Sequence, residues 1–331
     1  MAKAAHSRKR QETILGFFGP LSLILLLGMW ATGLIFGFGM VLWASREMIH
    51  SPEQTPTFAT YLYLSGTTFF TLGLGDITPL SPWARALAVC ESGIGFGFLA
   101  IVIGYLPVIY GAFSRREVSI SLLDARAGSP PSALELLRRH GEDGGLLELH
   151  RLLLEWERWC AELLESHLSY PVLCFYRSQH SNQSWLATLT TILDTCSLII
   201  VGIEGTSARQ ARLTFAMARH AVVDLAQIVG QAPLIDHPFD RLTASDLSLL
   251  RMRLKETGML LREGEEADKL LSDMRKKYEP YVEPLCDYLV LPRPVWITAQ
   301  HVPDNWQTSA WERTTGSLAA ASHHSRSAHH L

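Results

Sequence analysis

Two long apolar runs dominate the first third of the chain, with a short amphipathic segment between them. From Thr13 to Ser45 no residue carries a charge, which exceeds the ~20 residues a helix needs to cross a hydrocarbon core. The pattern predicts an outer membrane helix over residues 14–45, entered near Gly19-Pro20. A second run over residues 86–113 carries one charge, Glu91, and predicts an inner helix. Between them, 46–55 reads as an outer loop. Pro56 suits a first helical turn, and residues 57–68, with Phe58, Tyr61, Tyr63 and Leu64, read as a short pore helix. Residues 1–13, with Lys3, Arg8, Lys9 and Arg10, read as a cytoplasmic arm along anionic headgroups, or equally as a disordered tail.

Beyond residue 116 the pattern becomes that of a soluble helical domain. Gly128-Ser129-Pro130-Pro131 marks residues 117–131 as a linker. Ser132 and Glu135 have capping-box spacing and open a helix to His140. Leu146–Leu168 reads as a second helix. Leu186, Leu189, Leu193, Cys196, Ile200 and Ile203 then repeat every three or four residues. Asp194 and several hydroxyls in that window argue for a buried amphipathic helix rather than a third span. Phe215 to Val229 reads as another helix, Thr243–Lys277 as one long helix opening at Thr243-Ala-Ser-Asp246, and Pro280–Leu289 as a short piece. Residues 132–290 are therefore expected to form a mainly helical cytosolic domain, and 291–331 a largely disordered tail.

Between the apolar runs lies Thr71-Leu72-Gly73-Leu74-Gly75-Asp76. A dehydrated cation needs a ring of oxygens in place of water, and backbone carbonyls from several chains can supply it. Successive carbonyls face one way only if the backbone alternates in handedness, and glycine adopts the left-handed form without a Cβ penalty. Gly73 and Gly75, alternating with Leu72 and Leu74, meet that need. Thr71 adds a hydroxyl at the inner end and Asp76 a charge at the outer mouth. Irregular backbone at membrane depth is tolerated where protein buries it or it lines a watery cavity.

This stretch closely resembles the Thr-Val-Gly-Tyr-Gly-Asp signature of potassium channels. Trp83-Ala84-Arg85 resembles their Trp-x-Arg at the start of the inner helix, and Gly95 falls where many carry a gating hinge. The resemblance covers residues 14–116. It implies an all-α membrane protein with two transmembrane helices, a re-entrant pore helix and a filter, followed here by the helical cytosolic domain. It also implies potassium held by the carbonyls of Thr71, Leu72, Gly73, Leu74 and Gly75, with the Thr71 hydroxyl. The chain departs from the signature at several positions. Leu74 replaces the bracing tyrosine, Phe70 replaces a second threonine, Tyr63-Leu64 replaces a tryptophan pair, and Thr67 stands where some bacterial channels place a glutamate that partners the filter aspartate. Asp76, Thr67 and Glu91 are the expected filter supports, with Glu91 hydrogen-bonding the filter from behind. Gly95, Gly104 and Pro107 are the expected flexible points of the inner helix.

Composition and charge narrow the remaining classes. Hydrophobic residues make up 48% and charged residues 18%, and the apolar excess lies near the N-terminus, as for a partly embedded protein. A net charge of -3 gives no reason to expect a nucleic-acid partner. The five cysteines have no CxxC pairing and read as reduced thiols. Basic residues flank the outer ends of the two runs, including Arg115 and Arg116, which places both termini in the cytoplasm of a multi-pass plasma (cell inner) membrane protein.

One chain supplies one quarter of a filter, so a homotetramer in membrane lipid is expected. Potassium is the permeant ion, with no cofactor and no enzyme chemistry. The cytosolic domain is expected to bias the inner gate and to take an unknown small ligand or protein. A weakly selective cation channel and a receptor with a pore that hardly conducts are the alternative readings. Ile199–Gly205 lacks the glycine spacing of a dinucleotide loop. Arg177, His180, Arg209, Arg212 and His220 are a candidate anion cluster. His140, His150, His167 and His237 read as surface or capping residues, and His323, His324, His329 and His330 as weak metal binders.

Overall fold

The computed structural model describes residues 2–46, 48–52, 55–141, 145–180, 182–203, 208–234 and 240–298. It divides into two compact units, Met1–Gly111 and Ala112–Leu331.

The first unit contains α1 (Ala2–Ala44), α2 (Phe58–Phe69) and the part of α3 (Pro82–Ala127) that precedes Ala112. Leu15–Ala44 of α1 is long and apolar enough to cross a membrane, and so is α3. Phe17, Leu21, Leu25, Met29 and Trp30 of α1 are bare, and a helix that is apolar all round needs lipid or protein to cover it. The outer helix begins earlier than the expected residue 14, because Ala, Lys, Arg, Gln and Glu before it are good helix formers. Pro20 lies inside it rather than marking an entry. Pro56 stands outside α2, where Thr57 is the N-cap and its N–H donates to the Thr60 hydroxyl at 3.0 Å. Gly39 lets α1 approach α2 closely, since a Cβ there would lie 3.3 Å from the Leu62 Cα. Two short strands, β1 (Ile49–His50) and β2 (Thr78–Pro79), pair antiparallel. They tie together the segments flanking α2 and the loop after it. Beside them, Leu42, Tyr61, Leu64 and Ala84 form a small core.

In the second unit α3 continues to Ala127 and overrides most of the expected linker 117–131. Ile120, Leu123 and Ala127 recur at helical spacing and are buried, so the segment has a core-facing stripe that holds it helical. The break shrinks to Gly128 (φ +82°) and the prolines after it. There follow α4 (Ala133–Gly141), α5 (Leu146–Ser169), a 3-10 turn (Pro171–Phe175), α6 (Trp185–Gly202), α7 (Ala208–Ile228), α8 (Ala244–Glu256), α9 (Glu265–Arg275) and α10 (Glu279–Tyr288). The Ser132 hydroxyl accepts from the Glu135 N–H at 3.3 Å, at the start of α4.

α6 is the centre of this unit and packs against α7, α9, α4 and α10. It is long and apolar enough to cross a membrane, yet nearly all of it is buried in protein. Three of its hydroxyls are satisfied within the helix, Thr190, Thr195 and Ser197 each donating to the carbonyl four residues back, at 2.7, 2.7 and 2.8 Å, while Thr191 donates to Pro131 O at 3.2 Å.

Two expectations are corrected here. The helix expected over 243–277 is two helices, because Gly258 (φ +78°) and Gly264 (φ +109°) turn the chain between α8 and α9. The glycines also allow Leu261 to bridge Ile203. The tail is ordered as far as residue 298: Trp296 is buried, its carbonyl takes the Leu134 N–H at 3.3 Å, and Thr298 donates to Ser132 at 2.8 Å. The C-terminal histidines and His237 lie outside the described residues.

Candidate functional site

The segment 71–76 is an irregular loop leaving the C-terminal end of α2. Gly73 (φ +54°) and Gly75 (φ +80°) are left-handed, as the alternation requires, and Thr71 (φ +57°) joins them. A β-branched residue in that region is an outlier, so the surroundings must impose it. The end of α2 does so. The Thr71 N–H donates to Thr68 O at 3.0 Å, and the Leu72 and Gly73 N–H groups converge on Thr67 O at 2.8 and 3.4 Å. The first three amides of the loop therefore turn back onto the helix. Among the described residues no group donates to the carbonyl oxygens of residues 71–75. Five successive unsatisfied acceptors are costly unless something outside the chain meets them.

Thr67 thus supports the loop with its carbonyl, while its hydroxyl bonds Leu64 O at 2.9 Å. The partner of Asp76 is Tyr63, whose phenol donates to Oδ2 at 3.0 Å. The sequence reading missed this brace, in which a phenol from the pore helix reaches the mouth of the loop although Leu74 has none to offer.

Glu91 is completely buried within its own chain. It pairs with the Ser65 hydroxyl of α2, and Ser65 also bonds Ile35 O of α1 at 2.7 Å. The expected bond from Glu91 to the filter is thus a bond to the pore helix instead. The three groups tie α3, α2 and α1 together. Gly95 faces the end of α2: a Cβ there would fall 1.9 Å from Phe69 O, so close packing alone demands glycine. Gly104 has open space around it, and α3 passes Pro107 as a continuous helix.

Residues 25–109 match the ion channel family. The two apolar helices, α2 and the loop between them lie largely within this match, so the pore-loop resemblance holds for this segment of a membrane protein. Two relatives extend the comparison. An uncharacterized membrane protein, YdjJ of Bacillus subtilis (strain 168), is 22% identical over 194 residues, 57% of this chain and 55% of that protein. Two-pore potassium channel 5 of Arabidopsis thaliana is 35% identical over 65 residues, 20% of this chain and 16% of that channel. The chain thus spans about half the length of the first and a small part of the second. No solved structure matches it.

Beyond the pore-loop segment, Arg116 is the most constrained charge near the start of the second unit. The basic flank used to read topology is here a buried group, with its side chain 2% exposed. Its guanidinium donates to Leu173 O at 3.0 Å, Tyr176 O at 2.7 Å and Glu117 Oε1 at 3.0 Å, and meets His167 Nε2 at 3.2 Å. Phe113 lies under it at 5.1 Å. Burial pulls Arg116 below its usual value, and Glu117 pulls the other way. His167 Nδ1 lies 2.7 Å from Leu163 O. A carbonyl only accepts, so Nδ1 carries the proton and Nε2 offers its lone pair to Arg116. The C-terminal part of α3 is thereby fastened to α5 and the turn after it.

This fastening has a pH signature. Burial first, and Arg116 second, lower His167 from 6.5 to about 3. The folded state keeps the ring neutral while the unfolded chain protonates it. Stability is therefore full above pH 6.5 and falls as pH drops from there toward about 3, by at most ~1.4 kcal/mol per pH unit. A His167→Gln protein should show a flatter dependence of melting temperature on pH below 6.5; an unchanged slope would assign the acid sensitivity elsewhere.

Two of the candidate anion residues, Arg177 and His220, have other partners, while His180, Arg209 and Arg212 are exposed. Arg177 donates to Leu289 O and Val290 O, at 2.9 and 2.6 Å, at the end of α10. His220 pairs with Asp224 at 3.0 Å. His140 lies 2.7 Å from Leu136 O, and His150 and His180 are exposed. Ile199–Gly202 is the last turn of α6 and not a strand-to-loop element.

Proposed function

We propose that four copies of this chain surround a common axis and conduct potassium through the carbonyls of Thr71, Leu72, Gly73, Leu74 and Gly75. One observation carries the proposal: the loop alternates left-handed residues at 71, 73 and 75, sends its first three amides to α2, and leaves its carbonyls without partners among the described residues. Such a row suits a dehydrated cation. The side chains of Leu72 and Leu74 are 61% and 64% exposed in one chain, as expected of residues that neighbouring copies cover. The likeness to a plant potassium channel supports potassium over sodium. Both termini then lie in the cytoplasm, with Asp76 at the outer mouth in the plasma membrane. No cofactor takes part; Gly95, Gly104 and Pro107 remain the flexible points of the inner helix, and a ligand of the cytosolic domain would gate the pore only by binding its open and closed states unequally.

The direct test is potassium flux into liposomes carrying the purified protein, with native mass spectrometry to count copies. Four copies and flux are expected; monomers or dimers that leave liposomes sealed would refute the assembly. The Tyr63 brace gives a finer check. Tyr63→Phe removes the only hydroxyl described on Asp76. Potassium current through that protein should decay several-fold faster under sustained conduction. A decay time equal to that of the native protein would show that the bond does not hold the mouth.

A further inference from the structure

The Glu91–Ser65–Ile35 contact fixes the location of a proton. Ser65 Oγ lies 2.7 Å from Ile35 O and is hydrogen-bonded to Glu91 Oε1. Ser65 and Glu91 are both fully buried, so no bulk water intervenes. A serine hydroxyl has one proton to give and two lone pairs to accept with. The Ile35 carbonyl can only accept, which commits the serine proton to α1. The bond between Ser65 and Glu91 must then take its proton from Glu91. The other carboxyl oxygen agrees: Glu91 Oε2 is buried without a partner, and among the described residues no Lys, Arg or His forms an ion pair with Glu91. A carboxylate there would place a whole charge opposite nothing, at far greater cost than one unpaired neutral oxygen.

We infer that Glu91 is a neutral carboxylic acid and the head of a one-way hydrogen-bond chain, Glu91 to Ser65 to the Ile35 carbonyl. The chain pins α2 between α3 and α1. Ser65 is two residues before Thr67, whose carbonyl holds the amides of Leu72 and Gly73, so the pin sets where the filter sits. Glu91 and Ser65 are positioning residues that act through α2. This role rests on the conduction reading, whereas the position of the proton does not.

The test is infrared difference spectroscopy of the full-length protein in lipid at neutral pH, with Glu91→Gln and Ser65→Ala compared to the native chain. The native protein should show the carbonyl stretch of a hydrogen-bonded carboxylic acid. Glu91→Gln should remove that band, and Ser65→Ala should move it toward the frequency of an unbonded acid. A native spectrum that loses no acid band in Glu91→Gln, or that is unmoved in Ser65→Ala, overturns the inference whether or not the protein conducts. Potassium flux supplies the functional arm. An amide N–H can replace the acid O–H toward Ser65, so Glu91→Gln should keep flux within about twofold, while Glu91→Leu, which leaves the hydroxyl without a donor, should lose about fivefold or more. Equal losses in the two variants would refute the positioning role.

Discussion

Replacing Gly75 or Gly73 with alanine is expected to abolish potassium flux while leaving the protein folded. A Cβ would meet nothing within 4 Å at either position in one chain, so steric exclusion is not the cause. The cause is backbone conformation. Gly75 has φ +80° and Gly73 has φ +54°, and holding an alanine left-handed costs ~1–2 kcal/mol per residue. That would be a modest loss for a surface turn. In the proposed filter, shared by four chains, it would be incurred four times at one site, and among the described residues nothing bonds the carbonyls in place. The loop is expected to relax to right-handed backbone and turn its carbonyls off the axis. Circular dichroism and oligomer size should stay unchanged while flux falls to the level of empty liposomes. Flux retained within twofold in Gly73→Ala would contradict the ascription of conduction to these carbonyls.

Arg241→Met should be the most destabilising single change in the second unit. Arg241 donates to Asp194 at 3.3 and 2.7 Å, to Glu279 at 2.9 Å and to Pro294 O at 3.3 Å, with Trp296 stacked 5.7 Å away. Asp194 lies on α6 with no exposure at all, and Tyr278 donates to it at 2.5 Å. Burial pushes Asp194 up to about 6 against the pull of Arg241. Removing the cation strands a buried carboxylate, which typically costs ~3–5 kcal/mol. That is a large share of the ~5–15 kcal/mol by which domains are stable. Arg275 still pairs Glu279 at 3.1 Å, so the loss should concentrate on Asp194. A second change, Asp194→Asn, should recover part of it, because the stranded charge is gone. Chemical denaturation of both proteins measures this; a single-variant cost under ~1 kcal/mol would contradict the stranded charge and mean that Asp194 takes up a proton or meets water instead.

The left-handed backbone at Gly73 and Gly75 was legible because its cause is local: glycines at alternate positions are a backbone requirement written directly in the residues. The left-handed Thr71 was not, since its conformation comes from the end of α2 and not from threonine. The spans were legible from length without charge. Their ends were less so, because Ala2–Thr13 and Glu117–Ala127 have helical propensity that a polar composition disguises. Asp194 illustrates the limit most clearly. In sequence it argued only against a third span, which the buried α6 agrees with. Its partner stands 47 residues away at Arg241, and no periodicity links them. Arg116 likewise looked like a cytoplasmic surface charge; only the tertiary fold supplies the carbonyls of Leu173 and Tyr176 that bury it. Gly258 and Gly264 were readable as helix ends, but the apolar spacing from Leu247 to Met274 ran through them and suggested one helix.

The central claim is that the row of carbonyls from Thr71 to Gly75 selects potassium. Its most direct test is the reversal potential of the purified protein in a planar bilayer, with potassium on one side and sodium on the other. A reversal potential far toward the potassium equilibrium, lost with the current itself in Gly73→Ala, is the predicted result. A reversal near zero, with robust current, would contradict potassium selection and leave a cation pore that Leu74 and Phe70 fail to brace.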